Sequence, residues 1–425
     1  MKLMAKTIRG DRLHIGFFGK RNSGKSSLIN AITKQHVAIV SEVPGTTTDP
    51  VFKSMELAPV GPVVLIDTAG IDDTDGKLGE LRKERAHKII KKTDLALIII
   101  DASTDILSFE DELIELFESS ETRYIIVLNK IDLPMSKEVK SWLENRAFVR
   151  VSALHSEGIE LLKSRIIEIA PASWEPPFVG DLIHPEDIVL LVTPIDLGAP
   201  KGRLIMPQVK ALRDILDQDA IPMMCKEREL ISTLSKLSEK PSLVITDSQV
   251  FPQVAADVPE DILITSFSIL SIRQKGDLRQ MVDGILSIKS LRPNDKVLIS
   301  EACTHHPLED DIGRVKIPRW LNHYVGGKLD IDTVPGFKYP ERLEEYKLII
   351  HCGGCTLNRK EMMHRQELAR KAGIPITNYG VLISFLKSVF PRALKPFPEI
   401  YRLFEKEKKP LNKETRLTMA KLIDV

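Results

Sequence analysis

The chain has 425 residues, which at roughly 150 residues per domain predicts two or three domains. Hydrophobic residues make up 43% and charged residues 28%, a globular balance that excludes general disorder. A net charge of +1 gives no global electrostatic reason to seek nucleic acid or anionic lipid. Four cysteines cannot form a disulfide framework in a chain this long. No apolar run approaches the roughly 20 residues that cross a bilayer, and the first twelve residues have no signal-peptide core. We expect a cytoplasmic protein, with neither nucleic acid nor membrane as partner.

An α/β rhythm opens the chain. Leu13–Phe18, Val63–Ile66, Leu95–Ile100 and Tyr124–Leu128 are aliphatic runs that predict buried parallel strands. Leu78–Lys92 and Phe109–Phe117 carry helical patterns between them. The rhythm stops at Pro171–Asp181, where three prolines fall within seven residues and predict a linker. A second rhythm follows, with strands expected at Ile188–Val192, Leu243–Ile245 and Ile262–Thr265, and helices at Gln208–Leu216 and Glu227–Leu237. Further strands are expected at Lys296–Ser300 and Leu348–His351, and a solvated helix or tail at Phe404–Lys413. The fold class is therefore α/β throughout. The N-terminal domain, residues 1–172, should hold a mixed, mostly parallel sheet with helices on both faces.

The segment Gly19-Lys20-Arg21-Asn22-Ser23-Gly24-Lys25-Ser26 fits the phosphate-loop pattern at every required position, between a strand and a helix. Its glycines let backbone N–H groups wrap phosphates at a helix N-terminus. Lys25 should reach the β- and γ-phosphates, and the Ser26 hydroxyl should ligate Mg²⁺. Ser27 continues the loop into the helix. Asp67-Thr-Ala-Gly70 ends a strand, where Asp67 would hold Mg²⁺ through water and the Gly70 N–H would sense the γ-phosphate. Asn129-Lys130-Ile131-Asp132 ends another. A carboxylate there accepts two hydrogen bonds from guanine, and adenine offers no such pair, so the nucleotide is expected to be GTP. The Ser152-Ala153 backbone should meet the guanine carbonyl. Pro44–Asp49 reads as a mobile switch in which Thr46 and Thr47 flank the phosphates, with Thr47 closing on Mg²⁺. Asp101 reads as a strand-end turn residue.

These motifs resemble the TrmE/Era-type branch of translation-factor-related GTPases, whose switch reads P-G-T-T. In that branch the residue after D-T-A-G is hydrophobic, here Ile71, so no glutamine orients the attacking water. Members with an asparagine in the phosphate loop often use a bound K⁺ for this, and Asn22 stands at that place. The resemblance implies K⁺-stimulated GTP hydrolysis.

Three of the four cysteines and three of the ten histidines fall in two clusters. They are Glu301-Ala-Cys303-Thr-His305-His306 and His351-Cys352-Gly-Gly-Cys355. Each follows an aliphatic strand, so adjacent parallel strands would bring both to one crevice at the carboxyl edge of a sheet. From spacing alone the metal is either a structural zinc or a [4Fe–4S] cluster with one open position. His305 and His351 are candidate ligands or hydrogen-bond donors to ligands. Cys225 has no nearby partner and reads as structural.

Cys303-x-His305 followed well downstream by His351-Cys352-x-x-Cys355, behind a GTPase domain, is similar to the HydF family of [FeFe]-hydrogenase maturation GTPases. The resemblance covers the whole chain. It implies a dimerisation domain at 178–270 and a cluster-binding domain at 271–425. It also implies a [4Fe–4S] cluster on Cys303, Cys352 and Cys355, and a homodimer through the middle domain. Radical-SAM maturases would supply a diiron precursor, and apo-[FeFe]-hydrogenase would receive it. An RNA-associated GTPase with a zinc-stabilised C-terminal module is the competing expectation. The neutral charge and an aromatic content of 5% weigh against it.

Overall fold

The computed structural model describes residues 12–33, 51–68, 89–104, 107–170, 176–194, 204–302, 311–336, 339–340, 342–354 and 357–407. The chain divides into two compact units, Met1–Trp174 and Glu175–Val425.

In the first unit, six strands form one sheet: β1 (Leu13–Phe18), β2 (Val51–Leu57), β3 (Gly61–Asp67), β4 (Leu95–Asp101), β5 (Arg123–Asn129) and β6 (Phe148–Arg150). Their order is β2-β3-β1-β4-β5-β6. Every pairing is parallel except β2 with β3. Burial on both faces explains the unbroken aliphatic runs. Leu95, Leu97 and Ile99 of β4 face one core, while Ala96, Ile98 and Ile100 face the other. The helices are α1 (Lys25–Thr33), α2 (Ser108–Ser119), α3 (Lys137–Leu143) and α4 (Ile159–Ile169). Leu28, Ile29 and Ile32 of α1 and Leu162 and Ile166 of α4 close the first core. Leu113 and Phe117 of α2, with Val139 and Leu143 of α3, close the second. Of the expected helix at 78–92, residues 78–88 lie outside the described residues.

The second unit holds two four-stranded parallel sheets. One contains β7 (Ile188–Val192), β8 (Ile221–Cys225), β9 (Leu243–Thr246) and β10 (Leu263–Ser266), in the order β10-β9-β7-β8. The other contains β11 (Lys296–Ser300), β12 (Asp330–Val334), β13 (Leu348–His351) and β14 (Ile376–Asn378), in the order β12-β11-β13-β14. Around them lie α5 (Met206–Asp217), α6 (Leu230–Lys236), α7 (Phe251–Asp257), α8 (Phe267–Lys275), α9 (Leu278–Leu286), α10 (Ile317–Val325), α11 (Arg359–Lys371), α12 (Tyr379–Leu386), α13 (Phe390–Leu394) and α14 (Pro398–Glu407).

One hydrophobic core runs through both sheets, from Phe178 to Phe404. Polar ties cross the same boundary. Arg392 of α13 is buried and donates to the carbonyls of Ala255, Val258 and Pro259, which close the end of α7. Asn378 Nδ2 donates to the Ser268 carbonyl at 3.2 Å. At Gly284 of α9, an added Cβ would lie 1.9 Å from the Ile376 carbonyl oxygen of β14. The helix rests on the strand only because that position has no side chain. Gly284→Ala should therefore cost about 1–3 kcal/mol from overpacking, read as a lower urea midpoint with an unchanged slope.

Candidate functional site

The first site gathers at the carboxyl edge of β1, β3 and β5. Lys25 is buried, and its ammonium donates to the carbonyls of Gly19 at 2.5 Å and Lys20 at 2.8 Å. Ser26 Oγ donates to Asp67 Oδ2 at 2.7 Å, so the two residues expected to meet Mg²⁺ lie together. Ser23 Oγ is buried with no hydrogen-bond partner, which suits a loop built to face an oxygen-rich ligand. Asn22 holds a left-handed φ of 61°, a conformation asparagine tolerates better than most residues. Arg21, Asn22 and Ser27 are exposed. Lys20 pairs with Glu110 of α2 at 3.3 Å, and burial pushes the Glu110 carboxyl up.

Gly24 has a φ of +93°, and an added Cβ would sit 2.2 Å from Asn129 Nδ2. That amide explains the constraint. Asn129 Nδ2 donates to the Ser23 carbonyl at 2.8 Å, and its Oδ1 accepts from the Ala153 N–H at 3.1 Å. One buried side chain therefore ties the phosphate loop to the Ser152-Ala153 turn. Asp132 is exposed, and the Ser152 hydroxyl donates to its Oδ1 at 2.5 Å. That bond holds the Asp132 carboxyl below its ordinary range, so it stays an acceptor at neutral pH. Lys130 Nζ donates to Asp101 Oδ2 at 2.7 Å. Asp101 Oδ1 accepts from the Ser103 N–H and hydroxyl. Asp101 is thus the strand-end turn residue its sequence position suggests, and it also anchors Lys130, which sequence reasoning missed. Thr46, Thr47 and Gly70 lie outside the described residues.

The second site lies in the other unit. β11 and β13 are adjacent and parallel, with Ser300 opposite His351. The two cysteine-bearing segments therefore leave the sheet side by side. The Cys352 N–H donates to the Ser300 carbonyl at 2.9 Å. Cys352 Sγ accepts N–H bonds from Ala302 at 3.1 Å and Gly354 at 3.4 Å. Two converging amides suit a thiolate, and so suit a sulfur ligand to iron or zinc. Cys303, His305 and Cys355 lie outside the described residues.

His351 is fully buried. Its Nδ1 meets the Cys352 carbonyl at 2.8 Å, and its Nε2 meets Arg365 Nη1 at 3.0 Å. Burial, with the guanidinium beside it, lowers its pKa to about 3, so the ring is neutral. Both ring nitrogens of His351 are thus engaged within the protein. Sequence reasoning also missed Lys275, the last residue of α8. It is buried and donates to the carbonyls of Gly354 at 3.3 Å and Leu357 at 2.9 Å, around the cysteine loop. Glu301, also buried, accepts from Arg314 at 3.0 Å. Cys225 is buried at the end of β8, and burial pushes its thiol up.

Comparison with known proteins adds three family models. Residues 178–276 match the hydrogen maturase F dimerization domain, and residues 279–396 match the hydrogen maturase F tetramerization domain. The chain belongs to the hydrogen maturase F family. Residues 14–130 match a model described as a 50S ribosome-binding GTPase, and the first unit is a P-loop GTPase domain. Curated relatives include the tRNA modification GTPase MnmE of Thermoanaerobacter sp. (strain X514), 33% identical over 45% of this chain and 41% of that protein. MnmE of Streptococcus pneumoniae serotype 4 is 37% identical over 39% of this chain and 36% of that protein. The chain thus spans only about two fifths of the length of these relatives. Among solved structures, the G domain of the T. maritima FeoB iron transporter aligns over 37% of this chain and 99% of that chain, at 25% identity and a TM-score of 0.27. An Aquifex aeolicus Era variant covers 50% of this chain and 92% of that chain, at 20% identity and a TM-score of 0.31. Among the described residues no helix is long and apolar enough to cross a membrane.

Proposed function

We propose that this member of the maturase F family is a GTP-hydrolysing scaffold. On this reading it holds a [4Fe–4S] cluster on Cys303, Cys352 and Cys355. It would receive a diiron precursor from radical-SAM maturases and deliver it to apo-[FeFe]-hydrogenase. The observation that carries this reading is the β11–β13 pairing, which starts both cysteine segments from neighbouring strand ends. When bound, a cluster on three thiolates supplies one iron with an exchangeable position. The chain's own part is to present thiolates that already accept backbone N–H bonds at Cys352 and to hold the loop through Lys275. Cluster binding would fall to residues 271–425 and dimerisation to residues 178–270. Among the described residues β8 is the last strand of its sheet, and a homodimer through the latter part is supported by the exposure of Ile221 and Met224 on it, with Ile231 nearby in sequence.

In the first unit, GTP is the substrate. Lys25 would neutralise the β- and γ-phosphates, while Ser26 and Thr47 would ligate Mg²⁺. Asp67 would orient that ion through water, and the Gly70 N–H would report the γ-phosphate. Asn22 would hold a K⁺ that stands in for the missing glutamine, and hydrolysis should then be faster in potassium than in sodium salts. Equal rates in the two salts would remove K⁺ from the mechanism. Asp132 would read guanine. Asp132→Asn removes the charge that accepts from guanine, so GTP affinity should fall at least about a hundredfold, measured by fluorescent-nucleotide titration.

Anaerobic iron and sulfide analysis with EPR of the reduced protein tests the scaffold. About four irons per chain, absent in Cys303→Ser, supports it. A colourless protein holding one zinc and refusing iron overturns it in favour of a GTPase with a structural metal.

A further inference from the structure

A buried guanidinium costs free energy unless charge and hydrogen bonds satisfy it. Arg365 heads the large side chains that are fully buried. It lies on the inner face of α11 with Met362 and Ala369. Its Nε donates to Glu361 one turn earlier, at 3.2 Å. Its Nη1 reaches His351 Nε2 at 3.0 Å and Ser300 Oγ at 3.4 Å, and its Nη2 reaches the Gly336 carbonyl at 3.4 Å. Its carbon stands 5.2 Å from the centroid of the Tyr339 ring. Ser300 ends β11, His351 ends β13, and Gly336 follows β12. One side chain therefore gathers the carboxyl ends of three neighbouring strands.

The chemistry of the contact fixes a proton. Arginine is a donor only, so the His351 Nε2 that meets it is a bare lone pair. The ring proton must then sit on Nδ1, where it donates to the Cys352 carbonyl at 2.8 Å. That bond orients the peptide unit between Cys352 and Gly353. The Cys352 side chain leaves the same residue toward the Ala302 and Gly354 amides. The line from Glu361 through Arg365 and His351 to Cys352 is continuous, and each member but the last is buried.

We propose that Arg365 is the positioning residue of the cysteine loop: by fixing the His351 tautomer it holds the Cys352 peptide, and with it Cys352 Sγ, ready for metal before any metal binds. This rests on the reading that Cys352 is a cluster ligand. The rival role is mechanical, in which Arg365 merely ties strand ends together and His351 is a spacer.

The two roles part at His351. Asn places its amide nitrogen where Nδ1 stood, so His351→Asn keeps the donor to the Cys352 carbonyl and gives up Arg365. Gln reaches to the Nε2 position, so His351→Gln keeps a partner for Arg365 and gives up the donor. The test uses the full chain, reconstituted anaerobically with iron and sulfide and then challenged with a chelator. His351→Gln should retain iron about 10- to 100-fold more weakly than wild type, as partners of metal ligands usually do when lost, with His351→Asn clearly closer to wild type. The reverse order would overturn the proposal.

A second measurement needs no metal. In ¹⁵N-histidine NMR spectra of the metal-free chain, the His351 signal, assigned by its absence in His351→Gln, should show a protonated Nδ1 and a bare Nε2. The double variant Arg365→Met with Glu361→Gln leaves no lone buried carboxylate, and it should show mixed tautomers. An unchanged tautomer in that variant would also overturn the proposal. Failure of the underlying reading looks different: Cys352→Ser would then keep its iron, whatever the histidine variants do.

Discussion

Lys25→Ala should lower the kcat of GTP hydrolysis by about 10²- to 10³-fold, the size of effect seen when one donor to developing charge is removed. The expectation follows from where the ammonium sits. Lys25 is buried at the start of α1 and is held by the Gly19 and Lys20 carbonyls, so it is aimed before substrate arrives and needs little reorganisation. Alanine removes the donor that both carbonyls share, leaving the Lys20 carbonyl its bond from the Ser23 N–H, and it removes the only full positive charge buried in the loop among the described residues. Nucleotide affinity should fall as well, because the same charge meets the ground-state phosphates. Iron content should not change, since no cysteine lies in the first unit. Single-turnover hydrolysis and iron analysis on one preparation would check both halves. Loss of iron in this variant would contradict two separable sites.

Cys352→Ser should take the chain from about four irons to almost none after anaerobic reconstitution, with the EPR signal of the reduced cluster gone. The substitution is nearly isosteric, and residue 352 is only partly buried. The two amides that meet the sulfur, at 3.1 and 3.4 Å, can still meet a hydroxyl. Folding should therefore survive, and the loss should be one of ligand chemistry. A serine hydroxyl ionises far less readily than a thiol and is a poor soft ligand. Cys225→Ser is the matched control. It places a hydroxyl in the core of the second unit, at the end of β8, so it should lower the melting temperature and leave iron untouched. Iron retained in Cys352→Ser would remove the cluster from this loop.

What could be read from residues alone follows from how each feature is encoded. β4 is legible because all six residues from Leu95 to Ile100 are buried, and a strand covered on both faces must be aliphatic throughout. β2 was not seen, because Val51–Leu57 is an antiparallel edge strand carrying Lys53, Ser54 and Glu56. β12, Asp330–Val334, is at most half-buried and carries Asp330, Asp332 and Thr333 among its five residues. β8 carries Pro222, which argues against a strand, but it lies at a sheet edge where a missing N–H is tolerated.

The sites divide the same way. The phosphate loop is a contiguous motif, so Gly19 to Ser26 could be named at once. The pairing of β11 with β13 could be argued from two aliphatic runs that each precede a cysteine. Arg365 and Lys275 left no such mark. Each acts on atoms distant in sequence: Arg365 on His351 and Ser300, Lys275 on Gly354 and Leu357. A charged residue in a helical pattern reads as solvated unless its partners are known. Met362 and Ala369, three and four residues from Arg365, were the one hint that it faced inward. The tautomer of His351 likewise belongs to its neighbours and not to its place in the sequence.

The core that runs from Phe178 to Phe404 bears on how this chain can be cut. The two maturase F segments meet near residues 276–279, yet that junction is no seam. Lys275 belongs to the first segment and grips a loop of the second. Arg392 belongs to the second and finishes a helix of the first. Fragments ending at 276 and beginning at 277, made apart, would each expose half of a shared interior and precipitate. Made together in one cell they should find each other and co-purify as a nicked but folded pair. Truncation at the unit boundary near residue 175 should give a stable C-terminal piece by itself.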